Sequence, residues 1–282
     1  MADDAMAVTV SPTSRQSATA TRRWRVLGLR EDLPRRVRRP IVILSLLTPL
    51  VAWFVLSAGH AVNPLFLPSP AAVIKAGVRL ATGGQLGPDI LATMGRVSLG
   101  FALVVFVSVP LGIAMGTIPA VRAMFEPMIG LVRYMPAPAF IPLLIIWLGL
   151  GESSKIALLF IGTVFFNTLM TADVARLVPR QLIDSAYTLG AGRLVVLRKV
   201  ILPHSVPGVI DAMRVNIAAT WNLVVVAELI AAQSGLGYRI TRAQRFLQTD
   251  QIFAVLIVIG VIGVAMDIGF RLLRKGIAPW AE

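Results

Sequence analysis

The sequence predicts an all-α integral membrane protein of six transmembrane helices, with one short helix laid in the cytoplasm. Three observations carry that reading. Hydrophobic residues make up 56% of the chain and charged residues 15%, with a mean hydropathy of +0.79; a soluble domain carries about a quarter charged residues. The charges that do occur separate six charge-poor runs, each near the length that a tilted or slightly short helix needs to cross a bilayer. One interval between runs, 177–203, carries helix start and stop signals but too few residues to cross.

Taken in order, residues 1–38 read as a basic, Ser/Thr/Ala-rich cytoplasmic tail. Nine of the 27 basic residues precede Pro40, so the net charge of +13 is largely a positive-inside anchor and does not call for nucleic acid as a partner. Arg22-Arg23 is not a twin-arginine signal: the run Ile41 to Ala58 is long enough to span, and no small-residue cleavage site follows it. Further spans are expected at Val97 to Ile118, Tyr134 to Gly151, Ile156 to Ala172, Val215 to Ala232 and Ile252 to Met266. They divide the rest into a transmembrane domain over 39–275, containing the loop 177–203, and a short cytoplasmic C-terminus over 276–282. Six crossings return Arg271, Arg274 and Lys275 to the side of the N-terminal arginines, together with Arg176, Arg180, Arg193, Arg198 and Lys199. Arg239, Arg242 and Arg245 fall outside, either as a rim that attracts an anion or a docking protein, or as a solvated amphipathic turn.

Within the spans, Pro136, Pro138 and Pro142 each remove a backbone donor, so the third should be kinked or broken near its start. Such irregular backbone either lines a cavity or is a bend in a packing helix. Gly100, Gly112 and Gly116 permit close helix packing in the second span. Intramembrane polar groups need a partner or a watery face. Arg133 and Arg214 are placed near cytoplasmic helix ends, and Asp211 to Arg214 and Asp267 to Arg271 have ion-pair spacing. Asn167, Thr168, Asn216, Trp221 and Asn222 form either a neutral hydrogen-bonding passage or the interhelical bonds of the bundle. Glu228 lies near the outer end of the fifth span, where it meets water or an external-loop arginine.

In the interval 177–203, Pro179 suits the first helical position and Gly190 the left-handed position just past a helix end. The helix between them, of about eleven residues and roughly 16 Å, cannot cross a bilayer. Leu182, Ile183, Ala186 and Leu189 give it an apolar face to offer to a partner. Ile183-Asp-Ser-Ala-Tyr-Thr-Leu-Gly-Ala191, followed by Ile201-Leu-Pro203, resembles the E-A-A-x-x-x-G loop of the membrane subunits of bacterial ATP-binding-cassette importers. Asp184 stands where that family has Glu and Ser185 where it has Ala, while Ala186, Gly190 and Pro203 keep the pattern.

The likeness extends over roughly 63–280. Asn63-Pro-Leu-Phe-Leu-Pro-Ser-Pro70, Met135-Pro-Ala-Pro-Ala-Phe-Ile-Pro142, Trp147-Leu-Gly-Leu-Gly-Glu-Ser-Ser-Lys155, Ala227-Glu-Leu-Ile230 and Gly235-Leu-Gly-Tyr238 are similar to stretches of importers of nitrate, sulfonates, taurine and bicarbonate. The resemblance implies an importer type I-like permease fold in the bacterial inner membrane. It also implies a homodimer, two cytoplasmic ATPase subunits holding ATP and Mg, an external solute-binding protein, and a small anion as cargo. Asp184, Ser185, Ala186, Gly190, Ala191 and Pro203 then couple to the ATPase, and Asn167, Trp221, Asn222 and Glu228 are candidates for the path.

The residues expect no covalent chemistry from this chain. No G-x-x-x-x-G-K-[ST] loop occurs, since Ser154 precedes Lys155 in the nearest approach. Zero cysteines exclude thiolate metal sites and cysteine nucleophiles, and His60 and His204 are too far apart in sequence to suggest a metal pair. The rival from another class is a self-contained secondary carrier, which needs coupling-ion carboxylates near the midplane or matching repeats of broken helices. Neither feature is evident.

Overall fold

The computed structural model describes residues 35–59 and 62–281. Residues 1–34 of the expected tail and His60 lie outside them. The chain divides into two compact units, 1–55 and 56–282. The described part of the first is helical: α1 runs Arg35–Ala58, starting inside the stretch assigned to the tail. It is apolar enough to span.

In the second unit the helices are α2 (Pro70–Thr82), α3 (Leu86–Thr117), α4 (Pro119–Val132), α5 (Ile141–Leu148), α6 (Glu152–Arg176), α7 (Arg180–Thr188), α8 (Arg193–Val196), α9 (Leu202–Ala231), α10 (Leu236–Arg245) and α11 (Thr249–Ile277). No strand occurs among the described residues. Five helical stretches in the described chain are long and apolar enough to cross a membrane, and α4 with the segment Ala137–Leu148 makes a sixth candidate bent by 83°. The segment that answers to the expected third span is thus this bent pair over 119–148, not a single helix over 134–151. Hydropathy hid its first half because Arg122 and Glu126 are charged, yet they pair across one helical turn at 2.7 Å.

Close approach of α3 and α6 organises the bundle. A Cβ on Gly112 would lie 2.6 Å from the Thr168 carbonyl oxygen, and one on Gly116 would lie 2.6 Å from that of Ala172. Gly100 faces Leu159 in the same register, so α3 and α6 run parallel. α9 returns antiparallel to α6, as the bonds Thr163 to Thr220 and Asn167 to Asn216 require. Antiparallel again, α11 pairs Asp267 with Arg214 at 2.8 Å and Arg274 with Asp211 at 3.2 Å, which extends the two intrahelical pairs read from spacing.

Two charged layers result. One holds Asp89, Arg96, Glu152, Lys155, Glu228 and Arg239; the other holds Asp173, Arg176, Asp211, Arg214, Asp267 and Arg271. From Lys155 to Asp173 along α6 is 18 residues, or about 27 Å, close to the hydrocarbon thickness of a bilayer. Between the layers lies a core of Val97, Phe101, Val104, Leu159, Val164, Ile217, Trp221 and Val224.

Two helices escaped the hydropathy reading because they are short and amphipathic. Ser69 caps α2, accepting from the Ala72 N–H at 3.3 Å, with Pro70 at the first helical position. α10 occupies the supposed outer turn.

Candidate functional site

The loop after α6 is built from its ends inward. Pro179 caps α7 instead of beginning it, and the helix has nine residues. Thr188 Oγ1 donates to the Asp184 carbonyl at 2.9 Å. The Gly190 N–H donates to the Tyr187 carbonyl at 2.9 Å and the Ala191 N–H to the Ala186 carbonyl at 3.0 Å. Gly190 has φ +80°, the left-handed conformation that lets the chain turn there without a steric penalty. Beyond Gly192 the expected loop is absent. Residues 193–231 are helical throughout, widening to a π turn over Leu197–Ile201. Pro203 has no N–H to offer the Lys199 carbonyl, and the widened turn sits at that gap.

The apolar residues of α7 divide between two directions. Ile183 and Ala186 pack with Ala191 onto buried Val178, Val196 and Ile201 of their own chain. Leu182, Tyr187 and Leu189 are exposed, Leu189 by 87%, and Asp184 and Ser185 are exposed beside them. Thus Ala186 and Ala191 brace the helix, Pro203 belongs to the helix below it, and the surface free for a partner comprises Leu182, Asp184, Ser185, Tyr187 and Leu189. A cleft of about 540 Å³ opens alongside, lined by Arg122, Arg176, Arg180 and Tyr187 among others.

The mid-membrane polar set is mostly committed to packing. Asn167 is fully buried, donates to Ser108 Oγ at 2.6 Å and accepts from Asn216 at 3.2 Å. Trp221 is buried and its indole N–H donates to the Ile259 carbonyl at 3.2 Å. Asn222 differs: it is exposed, and among the described residues it bonds only the Ala218 carbonyl of its own helix. Of the path candidates only Asn222 presents its side chain to an open surface here.

Glu228 meets neither water nor an external arginine. Its fully buried carboxylate takes Arg96 Nη1 at 2.6 Å, Thr93 Oγ1 at 2.8 Å and the Gly237 N–H at 2.8 Å. Arg96 also grips Glu152 at 2.5 and 2.8 Å and the Ser234 carbonyl at 2.7 Å. Arg239, expected on an outer rim, is buried and bonds Asp89 Oδ2 at 2.7 Å through Nε and Gln85 at 2.8 Å, leaving Arg242 and Arg245 exposed. Gly235 is needed at this junction. Its φ is +113°, and a Cβ there would fall against Glu228 Oε1. Sequence reading missed Arg96 because its partners lie 56 and 132 residues away.

Arg133 also departs from its expected place. It lies in the break between α4 and α5, facing Gly162, Phe165 and Phe166 of α6 and Leu223 of α9 across a cavity of about 220 Å³. Gly162 is seven residues below Lys155, and Leu223 nine above Arg214. The group therefore sits between the charged layers and not at a cytoplasmic end. The signal was available in Pro136 and Pro138 just beyond it, which end the helix at that depth. Among the described residues no group of three His, Asp or Glu side chains could hold a metal.

Comparison with known proteins adds an independent line. Residues 108–279 match the family model of the binding-protein-dependent transport system inner membrane component. The taurine transport system permease protein TauC of Escherichia coli (strain K12) is 36% identical over 91% of this chain and 94% of its own. A putative aliphatic sulfonates transport permease protein, SsuC of Bacillus subtilis (strain 168), is 31% identical over 86% of this chain and 85% of its own. Among solved structures, a chain of the inward-facing MetNI methionine ABC transporter superposes with a TM-score of 0.63 at 16% identity, covering 70% of this chain and 98% of that one, which speaks to the fold alone.

Proposed function

The chain belongs to the family of inner membrane components of binding-protein-dependent transport systems, and from that premise we propose that it carries a small sulfonate-type anion inward across the bacterial inner membrane, driven through α7 by a separate ATPase. As a transport subunit of this family it works with ATP hydrolysis in a partner chain, and it has no phosphate loop of its own. The finer assembly is two copies of this chain, two ATPase subunits that hold ATP and Mg, and an external solute-binding protein. Both termini face the cytoplasm, so that α7 and the layer from Asp173 to Arg271 lie inside and the layer around Arg96 outside. Residues 39–275 form the transport domain.

The observation that carries this reading is α7. A nine-residue helix that cannot span is braced from behind by Ile183 and Ala186, and it exposes Leu182, Tyr187 and Leu189 next to Asp184. Apolar residues held rigidly at a surface suit docking, because the partner need not order them. The sulfonate assignment rests on the relatives named for taurine and aliphatic sulfonates.

The test is Gly190→Val in the complete transporter, reconstituted in vesicles with taurine as the probe. A β-branched residue in the left-handed region costs about 1–2 kcal/mol and redirects the chain that braces α7. Uptake and substrate-stimulated ATP hydrolysis should fall together by about tenfold, while the spans stay inserted. Ser185→Ala, on the exposed side, should change both by no more than about twofold. Full uptake by Gly190→Val would remove α7 from the coupling step.

A further inference from the structure

We propose that Arg133 is an anion-binding residue within the translocation path, drawing a small oxoanion such as a sulfonate into the cavity at the break between α4 and α5. The inference rests on the transport reading above for its cargo, and on geometry for its site.

Among residues 62–281, Arg133 is the one basic or acidic side chain lying between the two charged layers. Every other intramembrane charge there is held in a layer by an opposite charge, lies at a helix end, or, as with Arg122 and Glu126 beside Arg176, is paired within its own helix. Among the described residues no carboxylate forms an ion pair with Arg133. Its described partners are the Tyr134 hydroxyl, which accepts from Nη2 at 2.9 Å, and the Tyr134 ring, 4.9 Å below the guanidinium carbon. Nε is buried and makes no hydrogen bond. A buried guanidinium N–H without an acceptor is costly, and an uncompensated charge at this depth costs on the order of 2.5–3.5 kcal/mol on insertion scales. An anion in the cavity, meeting the guanidinium through its Nη groups, offsets the charge penalty.

The cavity fits that role. A volume of about 220 Å³ leaves room for an oxoanion of a few heavy atoms. Its walls are Phe165, Phe166, Leu223 and the glycine face at Gly162, which give low dielectric around a single cation. A guanidinium offers paired N–H groups to paired oxygens, the geometry of sulfonate and nitrate recognition. Where Gly162 stands, a Cβ would strike Leu223, and would lie 2.9 Å from Ala137, so the wall at the break is already close-packed. Irregular backbone at membrane depth survives where it lines a cavity, and here it places the arginine on the cavity wall.

The chain contains no cysteine, so a single Met135→Cys on the same wall reports the local field. In the purified permease–ATPase complex, without substrate or ATP, the labelling rates of 2-sulfonatoethyl methanethiosulfonate, an anion, and 2-(trimethylammonium)ethyl methanethiosulfonate, a cation, are read by mass spectrometry of this chain. Each is normalised to a free thiol. With Arg133 present the anionic reagent should be favoured about tenfold. Arg133→Lys should keep most of that preference, and Arg133→Gln should bring it within about twofold of unity. Millimolar ethanesulfonate should slow labelling in the Arg133 protein, whereas tetramethylammonium should not.

A ratio near unity with Arg133 in place, or no protection by ethanesulfonate, would overturn the proposal without need of any variant. A preference unchanged in Arg133→Gln would do the same. Since the readout involves no transport, anion preference in a complex that fails to take up taurine would leave the site standing and refute the cargo assignment instead.

Discussion

Removing Arg96 should destabilise the outer end of the bundle through one neighbour in particular. Its two carboxylate partners are unequally placed: the Glu152 side chain is 56% exposed and keeps Lys155 at 2.9 Å, whereas the Glu228 side chain has no exposed surface. In Arg96→Met, Glu152 turns to water and loses little. Glu228 is left with the Thr93 hydroxyl and the Gly237 N–H, two donors for a carboxylate that has lost its cation. Breaking a buried pair from one side costs about 3–5 kcal/mol, a factor on the order of a hundred or more in the folded ratio. Replacing both partners, Arg96→Met with Glu228→Met, removes the stranded charge and should recover about 2 kcal/mol, short of full recovery because Thr93 and Gly237 lose an acceptor. The assay is a double-mutant cycle on the purified subunit in mixed micelles, with unfolding by dodecyl sulfate followed by circular dichroism and checked for reversibility. Additive losses, or an Arg96→Met protein as stable as the native one, would show that the pair does not hold α9 and α10 to α3.

Two further outcomes separate packing from passage. Asn167→Leu removes the bonds to Ser108 and Asn216, the latter keeping the Ala212 carbonyl, so it should lower stability by about 0.6–1.7 kcal/mol in the same assay. Asn222→Leu, altering an exposed side chain tied only to its own helix, should leave stability unchanged and reduce taurine uptake if this surface lines the path. Gly112→Ala drives a methyl group to 2.6 Å from the Thr168 carbonyl and should cost about 1–3 kcal/mol. Gly95→Ala, with nothing within 4 Å, serves as the control that should lose nothing.

Features set by neighbours in the chain were legible in the sequence. Gly190 and Pro179 punctuate α7, Pro136 and Pro138 break the third span, and the glycines of α3 announce a close helix contact. Features set by distant partners were not. Arg239 looks like a rim charge until Asp89, 150 residues earlier, is brought beside it. Glu228 looks like a path residue until Arg96 arrives from α3. Depth was misread wherever a charge was neutralised locally. Arg122 and Glu126 look like loop residues because hydropathy counts both charges, although each cancels the other on one helical face. That error moved the third span toward the C-terminus and placed Arg133 at a membrane surface instead of at its middle.

The packing also constrains how a push on α7 travels. Only Leu177, Val178 and Pro179 separate α6 from α7, and Val178 is buried beneath it, so a displaced α7 takes α6 along. α6 cannot move alone. Gly112 and Gly116 set α3 against its backbone, Asn167 ties it to Ser108 and Asn216, and at the far end Glu152 is held by Arg96. Two packed helices with backbone contact slide or tilt as one body, because separating them opens voids while deforming them breaks intrahelical bonds. The break at Arg133–Pro136 belongs to neither helix, and α6 supplies the opposite wall through Gly162, Phe165 and Phe166. A rigid tilt of α3 and α6 by a few degrees, about a pivot at the outer ion-pair layer, would therefore move those residues past Arg133 and change the size of the cavity. α7 and the mid-membrane cation are thereby connected through α6, with only Leu177 to Pro179 between that helix and α7.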